Sequence, residues 1–170
     1  MKRGFTLVEL LVVISIIGIL ASIGLVAFTS AQARSRDAKR KSDLKQLGSA
    51  LELFYSDYGK YPASNAGQIQ ACSYNSVTGV GSNCTWGVSE FKDTDGSGNA
   101  KTTYFKDVPK DQVTGHSYYY NAVTVDSAPR AGYVIYGYLE NLQDASIIST
   151  VVSCGSVNCN FAISSPNATP

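Results

Sequence analysis

The sequence predicts an α+β fold: a long N-terminal α-helix, transmembrane in its first half and amphipathic in its second, packed on a small antiparallel β-sheet. Three observations carry this. An apolar run without a single charge extends from Leu10 to Phe28, close to the about 20 residues that a bilayer-crossing helix needs. Leu44, Leu47, Leu51, Phe54, Tyr55 and Tyr58 then recur at helical spacing. Beyond Ser117, segments rich in tyrosine and β-branched residues alternate with polar turns.

The helix is read from Phe5 to Tyr58, ~80 Å at the usual rise per residue. No proline interrupts it before Pro62, and good helix formers dominate from Thr29 onward. Gly59 is the expected stop, and Pro62 prevents resumption. Ser15, Gly18, Ser22 and Gly24 interrupt the branched residues of the apolar half. Gly18 and Ser22 lie four apart on one face, where small side chains let another helix approach closely. Glu9 is the oddity, since an acid in an apolar span costs roughly 2.5–3.5 kcal/mol near the membrane centre. Such a residue needs a cationic partner. The α-amino group of Phe5 on a neighbouring copy would supply one if the chain were cut between Gly4 and Phe5. A secretory signal peptide has a shorter apolar stretch, about 7–15 residues, with no acid in it. An ordinary single-pass anchor explains the span but neither Glu9 nor the Gly4-Phe5 junction.

At Lys2-Arg3-Gly4 followed by Phe5-Thr6-Leu7-Val8-Glu9 the chain resembles the type IV pilins and the type II secretion pseudopilins. Tyr58-Gly59-Lys60-Tyr61-Pro62 resembles that family's aromatic-Gly-x-Tyr-Pro junction. Val108-Pro109-Lys110-Asp111 with Gly115, Tyr118 and Tyr120 is similar to its Pro-Lys-Asp-Pro…Gly…Tyr-x-Tyr stretch, with Gln112 in place of the second proline. Val26 stands where many members have a proline. The resemblance implies cleavage between Gly4 and Phe5 by a prepilin peptidase and N-methylation of Phe5. It implies a homo-oligomeric helical filament, Glu9 of one subunit facing Phe5 of the next, and Gly18 and Ser22 at helix contacts. It further implies an assembly platform, a separate motor ATPase, and an inner-membrane single-pass precursor that leaves as an extracytoplasmic filament. The domains so implied are a leader at 1–4, an assembly helix at 5–28, an amphipathic half at 29–58 and a head at 59–170.

Charge is nearly balanced at +1 overall, which suggests no general attraction to nucleic acid. It is unevenly spread: Arg34, Arg36, Lys39, Arg40, Lys41 and Lys45 crowd the second half of the helix, opposed there by Asp37 and Asp43, while acids prevail after Gly59. The basic cluster could meet anionic headgroups, acidic surfaces of neighbouring subunits, or simply solvent. Four cysteines in an exported domain point to two disulfides, and three pairings are open. The simplest joins sequence neighbours, Cys72 with Cys84 and Cys154 with Cys159; neither pair has zinc-ligand spacing.

Asp93, Asp95, Ser97 and Asn99 match the opening of a calcium loop with Gly98 nearby, but Tyr104 occupies the position that needs a bidentate glutamate. A glycine-rich turn is the preferred reading and calcium the alternative; no other cofactor is expected. His116 is the only histidine and reads as a turn or sheet-edge residue, so no catalytic residues are assigned and no enzyme is expected. Residues 63–103 read as a long connection with little regular structure. Strands are expected at 117–125, 132–139 and 146–152, with a hairpin connection at Asp126–Arg130, a stapled loop at Cys154–Cys159 and a frayed tail from Ser164. Two function classes remain: a structural filament subunit, pilin or pseudopilin, and a minor tip pilin that binds a surface, DNA or cargo.

Overall fold

The computed structural model describes residues 4–170, apart from the side chains at positions 23, 24, 26 and 27. The Lys2-Arg3 end of the expected leader, and the roles considered for Gly24 and Val26, fall outside the described residues. Helix α1 runs Leu7–Tyr58. Among the described residues eleven strands follow: β1 (Ala63–Asn65), β2 (Gln68–Gln70), β3 (Cys72–Asn75), β4 (Val80–Ser82), β5 (Phe91–Thr94), β6 (Ala100–Phe105), β7 (Tyr119–Val125), β8 (Ala128–Gly137), β9 (Ser153–Cys154), β10 (Val157–Asn158) and β11 (Phe161–Ser164). The chain forms two compact units, one up to Arg36 and one from Asp37 to Pro170.

In the first unit Leu7, Leu10, Leu11, Ile14 and Ile17 are all exposed. Hydroxyls in this stretch bond back to their own helix: Ser15 Oγ donates to Leu11 O at 2.8 Å and Ser22 Oγ to Ile19 O at 2.7 Å. The expected span over 5–28 includes positions outside the described residues. Among the described residues no helix is long and apolar enough to cross a membrane.

In the second unit the helical stripe is the floor of the core. Leu44, Leu47, Leu51 and Phe54 are buried. Phe54 lies at the centre of an aromatic cluster, its ring 4.6 Å from Tyr58, 5.0 Å from Tyr74, 5.5 Å from Phe91 and 5.3 Å from Tyr104. Tyr55 departs from the expected stripe: it is partly exposed and packs on Tyr61 at 4.6 Å. Gly59 ends the helix at φ 65°, with its N–H on Tyr55 O at 2.7 Å, a left-handed stop that only glycine adopts freely.

Two sheets cover this helix segment rather than one. The first is ordered β4-β3-β5-β6, and its β3–β5 pair is parallel. The second is ordered β11-β8-β7 and wholly antiparallel. The expected irregular connection at 63–103 thus holds β1 to β5 and the start of β6. Its strands are only three or four residues long and use Ser, Gln, Asn and Cys, so their ladders depend on neighbours that local pattern cannot reveal. β7 and β8 overlap two expected strands, but the connection is shorter than the expected Asp126–Arg130: β8 begins at Ala128, and Asp126 and Ser127, both with positive φ, form the turn, as a two-residue hairpin loop requires.

The third expected strand, 146–152, does not form. β11 takes its place beside β8, and residues 147–152 run alongside without a ladder of their own, held by Ile148 N–H on Asn160 O and Cys159 N–H on Val152 O, each 2.8 Å. Nor is the tail frayed at its start. Ser165 is buried, its N–H reaches Tyr133 O at 3.1 Å, and its Oγ accepts from Tyr133 N at 3.1 Å. Disulfides join Cys72 to Cys84 and Cys154 to Cys159; the first ties β3 to the segment just after β4, the second encloses the β9–β10 hairpin.

Among the described residues the largest fully buried side chain is Arg40. Its guanidinium forks onto Asp111, Nε to Oδ2 at 2.7 Å and Nη2 to Oδ1 at 2.8 Å. Nη1 also donates to Asp37 at 2.8 Å and Glu140 at 2.7 Å. Burial by itself would lower the Arg40 pKa, but the carboxylates of Asp111, Glu140 and Asp37 more than offset it and the net shift is upward. Asp37 in turn accepts the Glu140 and Asn141 N–H groups at 2.9 and 2.8 Å. Beside it, Lys41 Nζ meets both oxygens of Asp144 at 2.7 Å, and Lys39 pairs with Asp43 at 2.6 Å. Lys39, Arg40 and Lys41 of the basic cluster therefore meet acids of their own compact unit.

Removing one member of a buried charge cluster leaves the others unpaired, at about 3–5 kcal/mol. Arg40→Ala is accordingly expected to lower unfolding stability by about that amount in a denaturant titration, while Arg40→Lys, which cannot fork, recovers only part. A second expectation concerns pH. The Lys41 hydrogen bond, then the Ser146 N–H, hold Asp144 down at about 2. A depressed carboxylate stabilises the fold above its unfolded value of about 3.9, and that contribution is lost as pH falls through about 2. Lys41→Met should return Asp144 toward the ordinary value in an NMR titration, and an unchanged Asp144 would remove Lys41 as the cause.

Candidate functional site

The candidate site is the start of α1. Thr6 N–H donates to Glu9 Oε2 at 2.9 Å, Thr6 Oγ1 donates to the same oxygen at 2.7 Å, and Glu9 N–H donates to Thr6 Oγ1 at 3.3 Å. This is a reciprocal capping box, in which residue and backbone at the first turn satisfy each other's orphan donors. Leu10 N–H then closes the first helical bond on Thr6 O at 3.3 Å. The Glu9 carboxylate, expected from the sequence to await an intermolecular partner, already has one in its own chain. The spacing Thr-x-x-Glu before an apolar run was the signal for it.

Around Glu9 the surface is apolar, formed by Phe5, Val8, Val12 and Val13. Phe5 itself is 84% exposed, directly after Gly4, which has open space about it. Gly18 likewise has nothing within 4 Å of a notional Cβ, and Ser22 is exposed with its hydroxyl turned back on Ile19 O. Gly4, Phe5 and Glu9 are thus neighbours at one helix end, while Gly18 and Ser22 lie further along the same helix.

The calcium alternative fares differently. Asp93 is buried, with Oδ2 accepting from Tyr58 Oη at 2.5 Å and from Tyr104 Oη at 3.4 Å, and Oδ1 accepting from Thr102 N–H. Burial first, then the Asp93 hydrogen bond, pushes the Tyr58 phenol upward. Asp95 accepts the Ser97 and Asn99 N–H groups at 2.9 Å and the Asn99 amide at 3.0 Å, capping the β5–β6 turn. The two carboxylates serve separate tasks, and among the described residues no three or more His, Cys, Asp or Glu side chains come together as a metal site would need. His116 pairs with Gly155 in an isolated bridge and packs edge-on against Tyr138 at 5.2 Å.

Residues 1–25 match the family profile described as the prokaryotic N-terminal methylation motif. The chain is 48% identical over 60 residues to the type IV major pilin protein PilA of Myxococcus xanthus, covering 35% of this chain and 27% of that protein. It is 42% identical over 74 residues to the fimbrial protein EcpC of Eikenella corrodens, covering 44% and 48%. Against the type II secretion system core protein G of Escherichia coli it is 39% identical over 66 residues, covering 39% and 46%. The matches span between about a quarter and a half of these relatives' lengths. No solved structure matches significantly. The chain carries a prepilin-type methylation motif, and the proteins it resembles are type IV pilins and type II secretion core proteins.

The capping box makes a local expectation. Thr6→Val removes the hydroxyl acceptor, a change worth about 1 kcal/mol at such a position, and should speed hydrogen exchange of the Glu9 amide in detergent micelles. Thr6→Ser should leave it slow. Equal exchange in both variants would mean that the box does not hold in solution.

Proposed function

We propose that this chain is a pilin, a structural subunit that polymerises through its N-terminal helix into an extracytoplasmic filament of the type IV pilus kind. The observation that carries this is an α1 start exposed and apolar on all sides, with one acid at its first turn. Such a surface must be covered. Lipid covers it in the precursor and the helices of other copies cover it in the filament. The methylation motif supports cleavage between Gly4 and Phe5 and methylation of Phe5, by a prepilin peptidase at the inner membrane. A platform and a motor ATPase would drive the assembly. Likeness to a type II secretion core protein supports a second reading of the same chemistry, a pseudopilin of a secretion system. Neither reading asks the chain to catalyse a reaction.

Cleavage leaves the new α-amino group of Phe5 one residue from Thr6. Glu9 then has two uses, closing its own cap and meeting the Phe5 ammonium of an adjacent subunit. Desolvation offsets much of the Coulomb gain of such a pair, so its main effect is on axial registry. Gly18 and Ser22 would let helices approach closely along the bundle.

The substitution Glu9→Gln separates the two uses, because glutamine also closes a capping box but carries no charge. In cells where it is the sole copy, Glu9→Gln should insert, be cleaved to begin at Phe5 and fold normally, yet yield few filaments. Intact mass reports the cleavage and electron microscopy the filaments. Wild-type filament yield from Glu9→Gln would leave the cap, and not charge pairing, as the role of this acid; assembled subunits retaining Met1 would defeat the processing step itself.

A further inference from the structure

We propose that the compact unit carries a saccharide-binding groove built around Trp86. The groove has a volume of about 380 Å³ and is bordered by Trp86, Lys110, Gln112, Thr114, His116 and Ser117, which places it in the range of small-ligand sites, about 300–1,000 Å³. Nothing in the filament reading uses it.

Its frame is held from several sides. Trp86 lies two residues after the disulfide-bonded Cys84, on a turn closed by Thr85 N–H to Ser89 Oγ at 2.8 Å. That turn is fastened to Val108 by Gly87 N–H on Val108 O at 2.8 Å and Val108 N–H on Ser89 O at 3.0 Å. The indole packs on Tyr118 at 5.7 Å in an edge-to-face arrangement. Gly87 has φ 77°, and a Cβ there would lie 2.6 Å from the Lys110 side chain, so the lysine stem crosses the turn only because residue 87 is glycine. Opposite, Asp111 is fixed by the Arg40 fork and closes on Val113 N–H at 2.8 Å. Gly115 O accepts Ser156 N–H at 2.8 Å.

The chemistry of the lining selects the ligand class. Among the described residues the side chains of Lys110, Gln112, Thr114, His116 and Ser117 make no hydrogen bond within the chain, and His116 Nδ1 is buried without a partner. They offer donors and acceptors in mixed order, as a polyol needs. Asp111 adds no free charge, since Arg40 and Val113 N–H take up its oxygens. One lysine is too little for a phosphorylated ligand, and the polar rim is wrong for a purely apolar one. An indole beside amide, hydroxyl and imidazole groups, with a single lysine, fits the C–H face and hydroxyls of a neutral pyranose.

Trp86 is the single tryptophan, so its fluorescence reports on the groove alone. The full chain, in micelles of a phosphocholine detergent so that no sugar detergent competes, would be titrated with glucose, galactose, N-acetylglucosamine, cellobiose, lactose and chitobiose. At least one should shift the emission saturably, and sodium phosphate should not. Saturation-transfer NMR on that saccharide should then show about tenfold or greater loss of affinity for Trp86→Ala, several-fold loss for Gln112→Ala with Thr114→Ala, and retention for Trp86→Phe. Circular dichroism and disulfide mapping confirm that each variant is folded. Overturning results would be no saturation by any of the six saccharides, binding undiminished in folded Trp86→Ala, or an equal response to phosphate. Because the measurement is made on unassembled protein, any of these would leave the filament reading intact, just as failed filament assembly would leave the groove intact.

Discussion

The buried guanidinium of Arg40 is the constraint on which the compact unit depends. It gathers Asp37 from its own helix, Asp111 from the loop before β7 and Glu140 from the loop after β8. These loops lie far apart in sequence, and neither forms a ladder with α1. Apolar packing under Leu44, Leu47 and Leu51 would tolerate some sliding of helix against sheet, since one aliphatic surface resembles another. A planar fork on a carboxylate accepts one alignment only. The cluster's net stability over well-packed apolar residues is small, so its chief effect is registry. Asp37 extends the same role by holding the backbone at Glu140 and Asn141, and Asp111 by shaping the loop that borders the Trp86 groove.

Glu9 is a second acid placed where charge is unwelcome, and it follows a different logic. Here the partner is local: Thr6 supplies two donors within one turn. The capping box starts a helix whose opening turns are almost wholly apolar and therefore lack polar side chains for their free N–H groups. The same carboxylate remains at an exposed helix end. An acid held at an exposed helix end by a hydroxyl and one N–H is the weaker contact; Arg40, buried among three carboxylates, is the stronger one.

Aromatic residues add a third set of contacts, within the compact unit that begins at Asp37. Phe54, Tyr58, Tyr74, Phe91 and Tyr104 form one contact cluster, and Tyr58 and Tyr104 turn their hydroxyls onto Asp93. Those phenols occupy the carboxylate that the Asp93–Asn99 pattern offered to calcium. A motif with the right letters was thus read by a neighbour thirty-five positions earlier in the chain, which the pattern could not contain.

The sequence alone determined what rests on local pattern. It defined the long helix, its stop at Gly59, the stripe from Leu44 to Phe54, the β7–β8 hairpin and the charged residue at the apolar start, because helical period, glycine at positive φ and paired turn residues act within a few positions. It also contained the Thr6–Glu9 box, which belongs to the same local class. The tertiary structure alone decided which short polar stretches in 63–103 become strands, that β11 rather than 146–152 completes the second sheet, and where the basic residues of the helix find their acids. Three-residue strands gain their hydrogen bonds from partners, and a guanidinium and a carboxylate separated by 71 residues meet only after the chain has closed the loop between them. Loop closure is a property of the whole fold, so no window of sequence carries it.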